Sequence, residues 1–284
     1  MHTSICSFSF HRLFGQGKMD FFSYITTCRE LGCSHLQPWN AHFARNVSLE
    51  DLVYLGRNPG EHGAPVWLDP PGDRAYVNDI CAAARAAGLP FELICVDRAA
   101  VYDADPRVRT DFRGRACRWI DFAATIGAPA VRIDAGGPST ADLPDDVFTA
   151  IAEGYRELIA RGRAVGVSIF VENHWGSSNI PENIVRFLDT IDGLHFLFDT
   201  NNWADGRQQD GWRLCGPRAH ATHVKTRAFD AGGNAVGVDI PAALALVTNA
   251  GYRGVWGVES VPAAGNELEA ARATLALIRR TMHT

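Results

Sequence analysis

Four short apolar runs in the second half of the chain end on side chains able to hold a divalent ion. SIFVE closes on Glu172, HFLFD closes on Asp199, THVKT carries His223, and VWGVES carries Glu259. Three carboxylates and one imidazole make a hard, oxygen-rich donor set. It suits Mn²⁺, Mg²⁺ or Co²⁺ and tolerates Zn²⁺ or Fe²⁺. Each residue also has a plainer reading. Asp199, for example, could cap the helix that follows it. Four successive runs ending this way are harder to assign to chance, because a charge at the end of a buried strand is costly unless paired or metal-bound. The expectation is one divalent ion, Mn²⁺ foremost, on Glu172, Asp199, His223 and Glu259.

A recurring unit positions these residues. A helical stretch ends at Gly, a short apolar run follows, and polar residues close the run. The unit appears at residues 31–40, 87–97, 126–137, 165–174, 192–202 and 251–260, and ICSFSFH (5–11) and AHATHVKT (219–226) supply two further runs. The Gly suits a helix C-terminus, where a left-handed residue is common. Nearly continuous apolar runs suit strands covered on both faces. Amphipathic stretches lie between them, at 18–31, 73–87, 147–165, 181–191, 241–250 and 267–281. Apolar residues recur there at three- and four-residue steps. Strands alternating with helices imply a parallel sheet, and eight such units imply a closed (β/α)8 barrel. An open doubly wound sheet would show a Gly-rich phosphate loop after its first strand, and SFHRLFGQGK matches that poorly. In a barrel of this kind the chemistry sits at the C-terminal ends of the strands.

The whole chain, 1–284, reads as one barrel domain with an extended strand–helix loop at 41–72, which is rich in Gly and Pro. A net charge of −5 argues against a nucleic-acid partner. No stretch approaches the roughly 20 apolar residues that span a bilayer, so no membrane role is expected. The seven cysteines include no CxxC pair. Reduced thiols and a cytoplasmic protein follow, and a homodimer is the base-rate expectation.

Several marks make the sequence resemble the xylose-isomerase-like TIM-barrel superfamily of sugar phosphate isomerases and epimerases, which also holds AP-endonuclease-2-like proteins. They are VENHWG at 171–176, FDTNNW at 198–203, HVKT at 223–226 and the stretch from 230 to 260. The resemblance implies metal ligation by Glu172, Asp199, His223 and Glu259, and an acid/base role for Glu172 and Glu259. Two positions depart from the common pattern. Asn202 stands where many relatives carry a substrate-binding His, and Thr226 replaces an Asp after Lys225. Asn202 can hydrogen-bond but cannot titrate near neutral pH.

The implied reaction is isomerisation or epimerisation of a sugar, keto sugar or cyclitol by proton transfer through a metal-stabilised enediolate. Loss of a β-hydroxyl from the same species would make the enzyme a dehydratase or lyase. A nuclease for abasic DNA is disfavoured by Asn202 and by the net charge. A non-catalytic sugar-binding protein is a further alternative. His11, Trp39, His174, Asn202 and Lys225 close neighbouring runs and are expected to bind substrate. Trp175 and Trp203 could stack on a sugar ring. An inward-pointing Arg132 would need an acidic partner such as the ligand cluster.

Overall fold

The computed structural model describes residues 1–45 and 69–283. The centre of the 41–72 loop lies outside the described residues. Seven parallel strands form one curled sheet in the order β1-β7-β6-β5-β4-β3-β2. They are β1 (His2–Ile5), β2 (Ile94–Val96), β3 (Ala130–Ile133), β4 (Ser168–Glu172), β5 (Leu194–Asp199), β6 (Ala221–Thr226) and β7 (Val255–Ser260). The main helices are α1 (His11–Gly15), α2 (Phe21–Glu30), α3 (Arg74–Ala87), α4 (Pro106–Ile126), α5 (Asp145–Val165), α6 (Pro181–Thr190), α7 (Gln208–Cys215), α8 (Ile240–Asn249) and α9 (Glu267–His283). Three of the predicted helix ends are capped as expected, by Gly88, Gly127 and Gly166 in the left-handed conformation.

The α/β barrel class holds, but among the described residues the sheet has seven strands instead of eight and is not fully closed. The expected strand within 31–40 forms isolated parallel bridges only: Cys6 with Gln37, Leu36 with Phe91, and Trp39 with Cys95. Those bridges span the gap between β1 and β2. Pro38 in the middle of the segment has no N–H to give to a ladder, which explains the interruption. The first strand is also displaced. It covers His2–Ile5, and residues 7–15, expected partly as strand, coil into a 3₁₀ turn and α1. Serine hydroxyls drive that turn. Ser7 Oγ accepts from Trp39 N at 2.9 Å, and Ser9 Oγ accepts from Ser260 N at 3.0 Å.

Successive strand residues point to opposite faces of the sheet. One face packs against the helices in the large core that includes Ile94, Val131, Val171, Phe198 and Val258. The other face fills the barrel interior with Trp39, Cys95, Ala130, Phe170, Leu197 and Ala221. Two residues beyond the last five of these stand Asp97, Arg132, Glu172, Asp199 and His223. The apolar plug is therefore the floor on which the polar groups rest.

Below the plug, Ser4 Oγ donates to Glu92 Oε2 at 2.7 Å. Burial pushes the Glu92 carboxyl up to about 8. An unfolded Glu titrates near ~4.3. Between those values the folded chain keeps a proton that the unfolded chain has lost, so stability falls as pH rises through the window and levels off above it. Urea unfolding should show the native chain losing stability from about pH 5 to about pH 9, and Glu92→Gln should flatten that loss. Equal losses in both proteins would count against a buried, protonated Glu92.

Candidate metal centre and sugar-sized cavity

The four predicted ligands converge. Glu172 ends β4, Asp199 ends β5, His223 lies in β6 and Glu259 in β7. Each offers one ligand atom, and these atoms all lie within 4.8 Å of one another. All four side chains are buried. His223 Nδ1 stands 2.9 Å from Glu172 Oε1, 3.2 Å from Glu259 Oε2 and 3.9 Å from Asp199 Oδ2.

Register and local hydrogen bonds fix these positions. Asp199 pairs with His223 across β5–β6, and Lys225 pairs with Glu259 across β6–β7. Asn173 ties β4 to β5: its Oδ1 accepts from Asp199 N at 2.8 Å and its Nδ2 donates to Asp199 O at 2.9 Å. Asp199 Oδ1 accepts from the backbone N–H groups of Asn201 and Asn202, at 2.6 and 2.9 Å. Asp199 does not cap the helix that follows, which begins at Gln208 without a side-chain cap; its Oδ1 closes a local turn, and that occupies one oxygen only. Asp199 Oδ2 is buried with no hydrogen-bond partner among the described residues.

Each glutamate has its own cation. Arg132 Nε lies 2.9 Å from Glu172 Oε2, and Lys225 Nζ lies 3.1 Å from Glu259 Oε2. Burial alone would raise both carboxyls. His223 and Arg132 outweigh it at Glu172, and Lys225 and His223 outweigh it at Glu259, so both stay below the usual range. Asp199 differs. Burial, reinforced by Glu259 and Glu172, pushes it up to about 7 despite Lys225.

Arg132 reaches further than predicted. Its Nη1 contacts Asp97 Oδ1 at 2.7 Å and Asp134 Oδ1 at 3.1 Å. Asp97 in turn accepts from Trp39 Nε1 at 2.9 Å, and Asp134 contacts His174 Nδ1 at 3.1 Å. Burial would lower His174, but Asp134 and Glu172 prevail and raise it to about 9. Above this network lies a cavity of about 170 Å³ whose lining includes Phe8, Trp39, His174, Trp175, Asn202, Lys225, Arg227 and Glu259.

Four of the five expected substrate-binding residues thus reach the cavity: Trp39, His174, Asn202 and Lys225. His11 does not. It opens α1, where Nδ1 meets Phe8 O at 2.9 Å and Glu267 Oε1 at 3.2 Å, because the chain turns before a strand could carry it inward. Trp203 is also removed from the cavity and packs against Phe198. Trp175 lines the rim, stacked on His174 with ring centroids 4.4 Å apart. Sequence reasoning did not single out Gln37, Asp97, Asp134 or Asn173. Gln37, Asp134 and Asn173 lie one or two positions from a residue it did select, and inward alternation along the runs was the available signal for Asp97 and Asp134.

A curled parallel α/β sheet with an acidic and imidazole cluster at its strand ends defines the class. The profile of the xylose isomerase-like TIM barrel family matches residues 57–281, and the chain belongs to that family. No curated protein matches the sequence. Among solved structures, D-allulose 3-epimerase from Methylomonas sp. in complex with D-allulose is similar at 12% identity and TM-score 0.71, over 99% of this chain and 97% of that one. The probable 3-DHS dehydratase of Bacillus anthracis is similar at 12% identity and TM-score 0.70, over 98% and 99%. A xylose isomerase-like TIM barrel protein from Mycobacterium smegmatis in complex with magnesium is similar at 17% identity and TM-score 0.64, over 92% and 88%. At these identities the likeness is one of fold. No described helix is long and apolar enough to cross a membrane.

Arg132 is the shared counter-ion of Asp97, Asp134 and Glu172. Arg132→Met should cost about 3–5 kcal/mol in urea unfolding, because it leaves buried carboxylates uncompensated. A loss below about 1 kcal/mol would mean that these acids are stabilised by other means.

Proposed function

We propose that the chain is a divalent-metal-dependent isomerase or epimerase acting on a sugar, keto sugar or cyclitol. The observation that carries this reading is a pair of glutamates within one ligand cluster, held below the usual carboxylate range by His223 and Arg132 at Glu172 and by Lys225 and His223 at Glu259. The donor set fits a hard divalent ion. Asp199 Oδ2 is buried without a hydrogen-bond partner among the described residues and belongs to that cluster, while Glu172 Oε2 faces Arg132 Nε at 2.9 Å. Glu172, Asp199, His223 and Glu259 would hold the ion, with Mn²⁺ foremost and Mg²⁺, Co²⁺, Zn²⁺ or Fe²⁺ compatible. When bound, it would polarise adjacent substrate oxygens and offset the negative charge of an enediolate.

The chain's own residues would handle the proton. One of Glu172 and Glu259, ionised, would take it from the carbon beside the carbonyl, and the other, having taken up a proton from solvent once substrate is bound, would return one to the enediolate. Arg132 and Lys225 favour the ionised form in which each can act as base. Lys225, Asn202 and His174 line the cavity with hydrogen-bonding groups for hydroxyls, and Trp39 gives an apolar wall for a sugar's C–H face. The fold shared with a D-allulose epimerase and a probable dehydratase supports a polyol-like substrate. One observation favours the lyase alternative. His174, raised to about 9, faces the cavity as a proton donor for a leaving hydroxyl.

The test is solvent deuterium incorporation into keto sugars and cyclitol ketones, followed by NMR with Mn²⁺ present. Exchange should occur in the native protein and fall at least ~10²-fold in Glu172→Gln and in Glu259→Gln. A dehydrated product would select the lyase reading. Chelation should abolish exchange and added Mn²⁺ should restore it. Unchanged exchange in both variants would remove the proposed proton-transfer pair.

A further inference from the structure

His223 has two faces. Nδ1 looks at the three carboxylates, and Nε2 points away from them to Gln37 Oε1 at 3.1 Å. Two thiols also lie on this side: Cys95 Sγ stands 3.7 Å from Nε2, a longer and weaker contact, and Cys6 is close by.

Gln37 is fully buried, and its backbone is held on both sides. Its N–H donates to Tyr24 Oη at 3.0 Å, and its carbonyl accepts from Ser7 N at 3.0 Å. Space for the amide comes from Gly257, the register partner of His223 on β7. A Cβ on Gly257 would stand 2.3 Å from the Thr222 carbonyl oxygen, 2.8 Å from Gln37 Oε1 and 3.0 Å from Gln37 Nε2. The amide has a cost. Its Nε2 has no hydrogen-bond partner among the described residues, and a buried unpaired donor costs about 1–3 kcal/mol. A methionine would fill similar space without that penalty. What a methionine cannot supply is Oε1.

We propose that Gln37 is a positioning residue of the metal centre: its Oε1 accepts the Nε2 proton of His223 and so leaves Nδ1 as the nitrogen that offers a lone pair to the ion. An amide oxygen can only accept. A neutral imidazole with its proton on Nε2 presents its lone pair at Nδ1, on the side of Glu172, Asp199 and Glu259. The same bond fixes the ring against rotation. Outer partners of ligating histidines commonly act in this way. The inference rests on the metal-centre reading above.

The test is the Mn²⁺ dissociation constant by isothermal titration calorimetry on metal-stripped protein, with thermal melts to verify folding. Gln37→Met should weaken Mn²⁺ binding roughly 10- to 100-fold. Gln37→Glu keeps an acceptor oxygen and should recover most of that loss. Gln37→Leu also removes the acceptor oxygen and should weaken binding in the same direction. A folded Gln37→Met that binds within about twofold of the native protein overturns the proposal. If Gln37→Met does not fold, native-like affinity in Gln37→Leu overturns it. No Mn²⁺ binding by the native protein would instead sink the metal-centre reading itself, an outcome distinct from equal binding by native and variant proteins.

Discussion

Charge neutrality inside the barrel mouth is the constraint on which the rest of the structure depends. Five buried carboxylates meet there: Asp97, Asp134, Glu172, Asp199 and Glu259. Four groups can oppose them, namely Arg132, Lys225 and the protonated forms of His174 and His223. That leaves the cluster one positive charge short. The deficit falls on Asp199, which burial and its acidic neighbours raise to about 7 and whose Oδ2 lacks a hydrogen-bond partner among the described residues. A divalent ion that takes the place of the His223 proton adds one net positive charge and closes the balance. The donor chemistry and the electrostatics therefore ask for the same occupant.

The scaffold makes such a concentration of charge affordable. Alternation along each strand puts an apolar residue beneath each of several polar ones, so that Phe170 underlies Glu172 and Leu197 underlies Asp199. The plug excludes water from below and leaves the cavity as the open side. Asn173 and the two backbone N–H groups on Asp199 Oδ1 hold the strand ends at fixed spacing. Rigid strand ends suit the proposed proton transfers between substrate and the two glutamates, where small displacements cost much of the rate.

Much of this was legible in the sequence because the signals were local. The runs before Glu172, Asp199, His223 and Glu259 are apolar and short, and Gly marks several of the helix ends ahead of them. The four candidate ligands and the cavity residues Trp39, His174, Asn202 and Lys225 followed from that rhythm. The misses have physical causes. The SFSF alternation reads as strand, but Ser7 and Ser9 spend their hydroxyls on backbone donors from distant segments, and the chain turns. His11 is carried to Glu267 as a result. Pro38 interrupts a ladder that the apolar pattern would otherwise support. Gln37, Asp97 and Asp134 owe their roles to partners across the barrel, with Gln37 and His223 separated by 186 residues. No pattern within a run reports such a pairing.

Metal content by plasma mass spectrometry, on native protein and an Asp199→Ala variant both equilibrated with Mn²⁺ and desalted, tests the central claim most directly. The account predicts about one equivalent in the native protein and its loss in the folded variant. A native protein that retains no metal, or a variant that retains a full equivalent, would contradict it.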